Sequence, residues 1–418
     1  MRTDPARPWA GRSHAELAEL ARELLLAGHL IDRSGMPHLI TAFGREGMTE
    51  IAIGEWMGAS PVYTKRTQQL LGFEGDTVDV VFKGMQLDIG APPEFLDFRY
   101  RVLDDAHGEF FLAHCGALMD VEPMGDDYVH AMCHTIEDPT FDATATAVNP
   151  RAQVRPVHRP PRVPADRSPH CAWTVTIDPE ADALPVPTEA HAVGRSNAAS
   201  LPLAAPDPDL ATDDGWNDYA APLDPDLTME RFSSATLSAI CDEVCLQGQL
   251  LTRSYLLQVA DRLSGSELEA IAAKQAAGVA GLVAKRLAAA LGLGPTLGTI
   301  AEVLAVHPVL LPRAYAAIRL AQVDDAVELA LLPCPGLDEP DGLGWPAVVA
   351  GPLGDDVLHA IAVCLLPSAT VERTRPSADE VARWRITDDP TTPPAPQPDT
   401  VTLAEFSTGA GFAFKRRG

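Results

Sequence analysis

Leucines at 17, 20, 24 and 25, with mostly charged residues opposite, give the stretch 15–27 one apolar face of a helix. A stronger helical run, rich in Ala and Leu, spans 267–291 and meets Gly292 where a C-cap is expected. Between these runs, "EFLDFRYRVL", "DDAHG" and "EFFLAHC" set aromatic and β-branched residues on either side of a turn, which predicts a β-hairpin. The segments "AYAAIRLAQV", "DDA" and "VELALLPC" repeat that pattern more weakly. A helix is expected at about 126–134, and two more strands near 153–158 and 171–177. The order helices, hairpin, helix, strand, strand predicts an α+β fold with a small antiparallel sheet.

The pattern occurs twice. Sliding the chain by 220 residues pairs "LLAGHLIDRS" with "CLQGQLLTRS", Lys65-Arg66 with Lys285-Arg286, and Leu71-Gly72 with Leu291-Gly292. Over residues 14–118 this register gives 22 identities in 105 pairs, against roughly 7 to 9 expected from composition. After a short slip, "NPRAQV" faces "LPSATV" and Trp173 faces Trp384. We therefore expect two tandem related domains, 13–178 and 229–388. A flexible tail (1–12), a Pro/Asp-rich linker (179–228) with eight prolines between Pro179 and Pro225, and a Pro-rich C-terminal tail (389–418) complete the organisation.

A chain of 418 residues with 46% apolar side chains can fill real cores. Its formal charge is −26, which disfavours nucleic acid and anionic lipid as partners. The longest candidate membrane span, 288–312, is broken by Gly292, Gly294, Pro295, Glu302 and Pro308. Residues 1–12 have no apolar core resembling a secretory signal. Seven cysteines, an odd number, fit reduced thiols and a cytoplasmic location better than a disulfide framework. A small-molecule ligand is the expected partner, with a homodimer possible.

Candidate chemistry concentrates in the first repeat. His114-Cys115, Cys133-His134, His158 and His170-Cys171 lie within 58 residues. Cys115 would close the second hairpin strand, Cys133 would sit on the following helix and Cys171 would open the last strand. Three thiolates and an imidazole would suit one transition metal ion, zinc or iron. A thiol-based active site and simple burial of small apolar cysteines are the alternatives. The second repeat loses nearly all these donors: His114-Cys115 becomes Cys334-Pro335, His158 becomes Arg375, and His170-Cys171 becomes Val381-Ala382. That asymmetry fits one active and one structural copy.

Nearby carboxylates Glu122, Glu137, Asp138 and Asp142 are candidates for acid–base work or for orienting His134. Arg155, Arg159 and Arg162 surround His158 and would suit a carboxylate-bearing ligand. His29 and His38 read as surface residues of the helices. Glu55, Trp56 and Tyr63 either line a pocket under the sheet or belong to helical packing. No GxGxxG, P-loop, GxSxG or HExxH pattern is present.

With Cys115, Cys133 followed by Glu137 or Asp138, Arg155 and Cys171 in this order, residues from about Arg22 to Asp178 resemble the L-2-amino-thiazoline-4-carboxylic acid hydrolase-like proteins. His158 stands where that pattern has a Thr. The resemblance implies metal-assisted hydrolysis of a small carboxylate-bearing amide or cyclic amidine. His134, Glu137 and Asp138 would then be catalytic, and Arg155 and Arg159 would bind substrate. The residues themselves, rather than the resemblance, add His158, His114 and His170 to Cys115, Cys133 and Cys171 around the metal. The alternative is a non-catalytic small-molecule-binding or accessory protein with a structural zinc.

Overall fold

The computed structural model describes residues 7–391 and 393–415. The first half runs from helix α1 (His14–Leu71) and α2 (Val78–Gln86) into the hairpin β1 (Leu96–Asp104) and β2 (His107–Cys115). Short helices α3 (Gly116–Val121) and α4 (Asp126–His130), a π-helical turn (Ala131–Ile136) and α5 (Glu137–Thr146) precede β3 (Ala152–His158) and β4 (Cys171–Ile177). The antiparallel sheet has the order β1-β2-β4-β3.

The connecting segment carries α6 (Thr188–Val193) and α7 (Asn197–Ser200). The second half then repeats the series: α8 (Ser234–Ala260), α9 (Gly265–Ala290), α10 (Leu297–Val306), β5 (Ile318–Val323), β6 (Ala326–Leu331), α11 (Trp345–Ala350), α12 (Gly354–Leu365), β7 (Ala369–Thr374) and β8 (Ala382–Asp388). Its sheet order, β5-β6-β8-β7, is the same as the first. A last helix, α13 (Asp399–Ala404), corresponds to α6. The fold is α+β with two related sheet-bearing halves.

Local chemistry explains the main boundaries. Ser13 opens α1 with a capping box on Glu16. Gly44 kinks the same helix at φ 70°, a left-handed conformation that glycine reaches without strain. The kink divides α1 into two arms, matching the α8–α9 pair. The pattern at 15–27 marked only the first turns of this long helix, because Pro37 and Pro61 interrupt the rest.

The halves are interlocked rather than strung on a linker. Glycines let α1 and α8 approach closely: a Cβ at Gly58 would stand 2.2 Å from Ser254 Oγ, and one at Gly35 would stand 2.9 Å from the Tyr255 ring. Two reciprocal ion pairs cross the interface. Arg286 donates to Glu23 through Nε at 2.7 Å and Nη2 at 2.9 Å. Arg66 donates to Glu243 through Nε at 3.0 Å and Nη2 at 2.7 Å. The 220-residue offset exchanges these two pairs with each other.

The segments at 179–228 and 389–418 are ordered arms where the described residues cover them. Arg66 Nη1 donates to the carbonyls of Ala199 and Leu201, and Arg286 Nη1 donates to those of Gly409, Ala410 and Phe412. Glu339 accepts from the N–H groups of Asn197 and Ala198, while Asp120 accepts from Ser407 Oγ and the Thr408 N–H. Each arm thus ties its own half to the opposite one. Aspartates that suggested a linker fix turns, as when Asp207, Asp218 and Asp224 each accept from the N–H two residues on. Of the expected N-terminal tail, residues 1–6 lie outside the described residues. Trp9 is buried and its indole Nε1 donates to Asp242 at 2.9 Å.

Candidate functional site in the first half

A cavity of about 140 Å³ lies in the first half, between α1 and the sheet with its inserted helices. α1 contributes His29, Asp32, Arg33, Met36, Met48, Trp56 and Tyr63 to its wall. The loop after α2 supplies Asp88 and Gly90, the hairpin Phe98 and Cys115, and the inserted helices Tyr128, Met132, Glu137 and Phe141. The π-helical turn widens the helix just before Glu137, a local irregularity often found at functional sites. The wall is mostly apolar with a few polar groups, as small-molecule sites usually are.

The polar groups are poorly compensated. Arg33 is shared by Asp32 and Asp120, so its charge is already answered. Asp88 takes hydrogen bonds from Tyr63 Oη at 2.7 Å and the Gly90 N–H at 2.6 Å, both on Oδ1 and both from neutral donors. Burial pushes the Asp88 carboxyl up to about 6. Burial likewise pushes Glu137 up to about 8, against the pull of Arg159. Its Oε2 is sealed from solvent with no hydrogen-bond partner among the described residues. Glu55, fully buried beside Asp32, has neither carboxylate oxygen partnered, and burial holds it well above the ordinary range. His29 is buried, not on the surface, and burial keeps it neutral.

The expected Cys/His centre is arranged otherwise. Cys115 closes β2, Cys133 lies in the π-helical turn and Cys171 opens β4, as the sequence reading placed them. The three thiols and Glu137 are close enough to raise one another's protonation. Burial is the largest cause, taking Cys115 up to about 12 and Cys133 and Cys171 well above the free thiol. Such groups are protonated at neutral pH and are weak nucleophiles.

The histidines point to other partners. His134 Nε2 meets the Pro160 carbonyl at 2.7 Å and His158 Nε2 meets that of Pro169 at 3.2 Å. His114 stacks on Phe412 at 6.2 Å, with His170 at 5.9 Å from it. Among the described residues no group of three or more His, Cys, Asp or Glu side chains is disposed to hold a metal ion. The residues present therefore do not fit zinc or iron as arranged.

Nor do Arg155 and Arg159 face the cavity with free guanidinium groups. Arg155 pairs with Asp142 at 2.8 Å, and Arg159 pairs with Asp138 while lying over the Trp173 ring at 5.8 Å. Arg162 pairs with Glu122 at 2.8 Å. Of the three expected catalytic residues, only Glu137 lines the cavity. Asp32, Met36, Met48 and Asp88 were not singled out by motif. Helical spacing on one face of α1, with polar types where apolar ones were expected, is the signal that marks Asp32.

The second half provides an internal comparison. The 220-residue offset places Gln249 opposite His29, Thr252 opposite Asp32, Leu256 opposite Met36, Gln275 opposite Glu55, Ala276 opposite Trp56 and Val283 opposite Tyr63. Strand pairing sets an offset of 217 between β3 and β7, from Ala152 opposite Ile177 and Ala369 opposite Asp388. That offset carries Glu137 onto Gly354, where a Cβ would lie 1.9 Å from the Val349 carbonyl oxygen. The frame is kept and the ionisable groups are lost.

No family model matches this chain, and comparison with curated proteins and with solved structures gives no match. Among the described residues, no helix is long and apolar enough to cross a membrane.

Proposed function

We propose that the first half is a receptor for a small, mainly apolar molecule held in the α1–sheet cavity, and that the second half is its structural counterpart. The observation that carries this reading is the asymmetry between equivalent positions. Asp32 and the half-buried Glu137 of the cavity wall, and the buried Glu55 beside Asp32, are kept at a cost to stability, and the same fold has Thr252, Gly354 and Gln275 at the equivalent positions of the second half. Costly buried acids retained on one side only are the mark of a site in use.

A second reading has one specific support. Glu137, largely protonated at neutral pH and set in an apolar wall, has the character of a general acid. It would protonate the leaving nitrogen of a small amide or cyclic amidine, which agrees with the hydrolase resemblance without routing any step through a metal.

Thermal-shift screening of small apolar compounds against wild type and Ala52→Phe tests the receptor reading. Ala52 lines the cavity, and the larger ring would fill it. Compounds that raise the melting temperature of wild type but not of a normally folded Ala52→Phe support it. Compounds whose effect is the same in both proteins, or no binding compound at all, overturn it. Turnover lost in Glu137→Gln with binding retained would establish the hydrolytic reading.

A further inference from the structure

Resting on that receptor reading, we infer that the ligand is a small organic cation, a protonated amine on an apolar body, whose ammonium group is received by Asp88 beside the Trp56 ring. The geometry centres on Gly90. A Cβ there would lie 3.0 Å from Trp56 Cζ3 and 3.1 Å from Asp88 Oδ1, so the indole and the carboxylate flank the same bare stretch of backbone. A carboxylate next to an aromatic ring is a standard way to recognise an ammonium ion, combining ion pairing with cation–π attraction.

Charge accounting selects a cation over an anion. The cavity wall holds Asp32 and Asp88, with Glu137 largely protonated, against a single guanidinium, Arg33, which Asp32 and Asp120 already occupy. Both donors to Asp88 are neutral and reach only Oδ1, so this acid lacks a counter-charge. Tyr63 holds the carboxyl in place from α1. The rest of the wall, including Met36, Met48, Met85 and Phe98, suits an apolar body of adaptable shape. At the matching places of the second half, Ala276 and Val283 remove both the ring and the phenol.

The experiment compares three probes of similar size by isothermal titration calorimetry at pH 7.5: phenethylamine, 2-phenylethanol and 3-phenylpropionate. The amine is expected to bind at least about tenfold more tightly than the alcohol. In Asp88→Asn, which keeps an acceptor for Tyr63 and Gly90, that preference should fall to within about twofold while the alcohol's affinity holds. Equal affinity for amine and alcohol, a preference for the propionate, or an undiminished amine preference in Asp88→Asn would overturn the cation assignment and leave the receptor reading intact. Failure of all three probes to bind wild type would overturn both.

Discussion

Removing the Glu23 carboxylate tests the interlocking of the two halves most directly. Glu23 and Arg286 are each less than a tenth exposed, and the carboxylate accepts two of the guanidinium's hydrogen bonds. In Glu23→Ala those two donors lose their partner, while Nη1 keeps its carbonyl partners at Gly409, Ala410 and Phe412. A charged donor left unpaired in the interior costs about 1.5–3 kcal/mol. Two such donors give about 3–6 kcal/mol, close to the 3–5 kcal/mol seen when one member of a buried ion pair is deleted. Arg286→Met should cost a similar amount, because it strands the carboxylate and releases the C-terminal arm.

The mirrored pair supplies the control. Arg66 and Glu243 make the same bidentate contact, and Arg66 grips Ala199, Leu201 and Pro202 as Arg286 grips its own arm. Glu243→Ala should therefore match Glu23→Ala to within about 1 kcal/mol. Urea unfolding followed by tryptophan fluorescence measures each single and double variant. A double-mutant cycle on either pair should return a coupling of about 2 kcal/mol or more. Costs below about 1 kcal/mol, or a gap between the pairs above about 2 kcal/mol, would refute the view that the arms and helices are locked by equivalent buried pairs.

Glu55→Gln should stabilise the protein by about 1–3 kcal/mol at pH 7–8, since Gln275 at the equivalent position donates to the Ile31 carbonyl and accepts from Trp345, whereas Glu55 has no partner; urea midpoints read the change. Asp88 and Glu137 bind protons more tightly folded than unfolded, so their stabilising contribution is complete below about pH 4 and is lost as pH rises through about 6 for Asp88 and about 8 for Glu137. The Asp88→Asn/Glu137→Gln double variant should accordingly show a flatter stability profile between pH 4 and 9 in thermal scans. All seven cysteines are free and six are buried, so Ellman's reagent at pH 7.5 should label less than about one thiol in minutes on native protein and all seven in denaturant; rapid labelling of Cys115, Cys133 or Cys171 would contradict their burial.

The repeat was legible because its shared residues carry geometry. Arg66 and Arg286, Gly72 and Gly292, and Trp173 and Trp384 recur because each is fixed by a neighbour: an ion pair, a left-handed C-cap at φ 65° and 63°, or the floor of a sheet. The hairpin and last strands were legible through period-two patterning and DDA turns. The second arm of α1 was not, because Pro61 and several glycines mask its period while tertiary contact with α8 supplies the stability. The cavity was half legible. Cys115 and Glu137 fell inside it, as did Trp56 and Tyr63, but the thiols suggested a metal because spacing along a chain does not tell whether histidines turn inward or cap a carbonyl. Asp88 had no motif at all, since its role comes from Tyr63 and Gly90 meeting it in space.

The contrast between the halves also explains why the acids persist. A buried carboxyl without a counter-charge destabilises the fold it sits in, and a stabler choice for each place already exists within this chain. Gln275 satisfies the place of Glu55 with two hydrogen bonds, Val283 packs in the place of Tyr63, and Gly354 lets the chain close where Glu137 stands open. On the proposed reading, the second half is a built-in alternative, in the same register and the same sheet order, for what the first half would be without a ligand to hold. Under this logic, Glu55→Gln should raise stability and leave amine binding intact, while Asp88→Asn should raise stability and abolish the amine preference. A protein that instead lost stability with each substitution would show these acids to be structural.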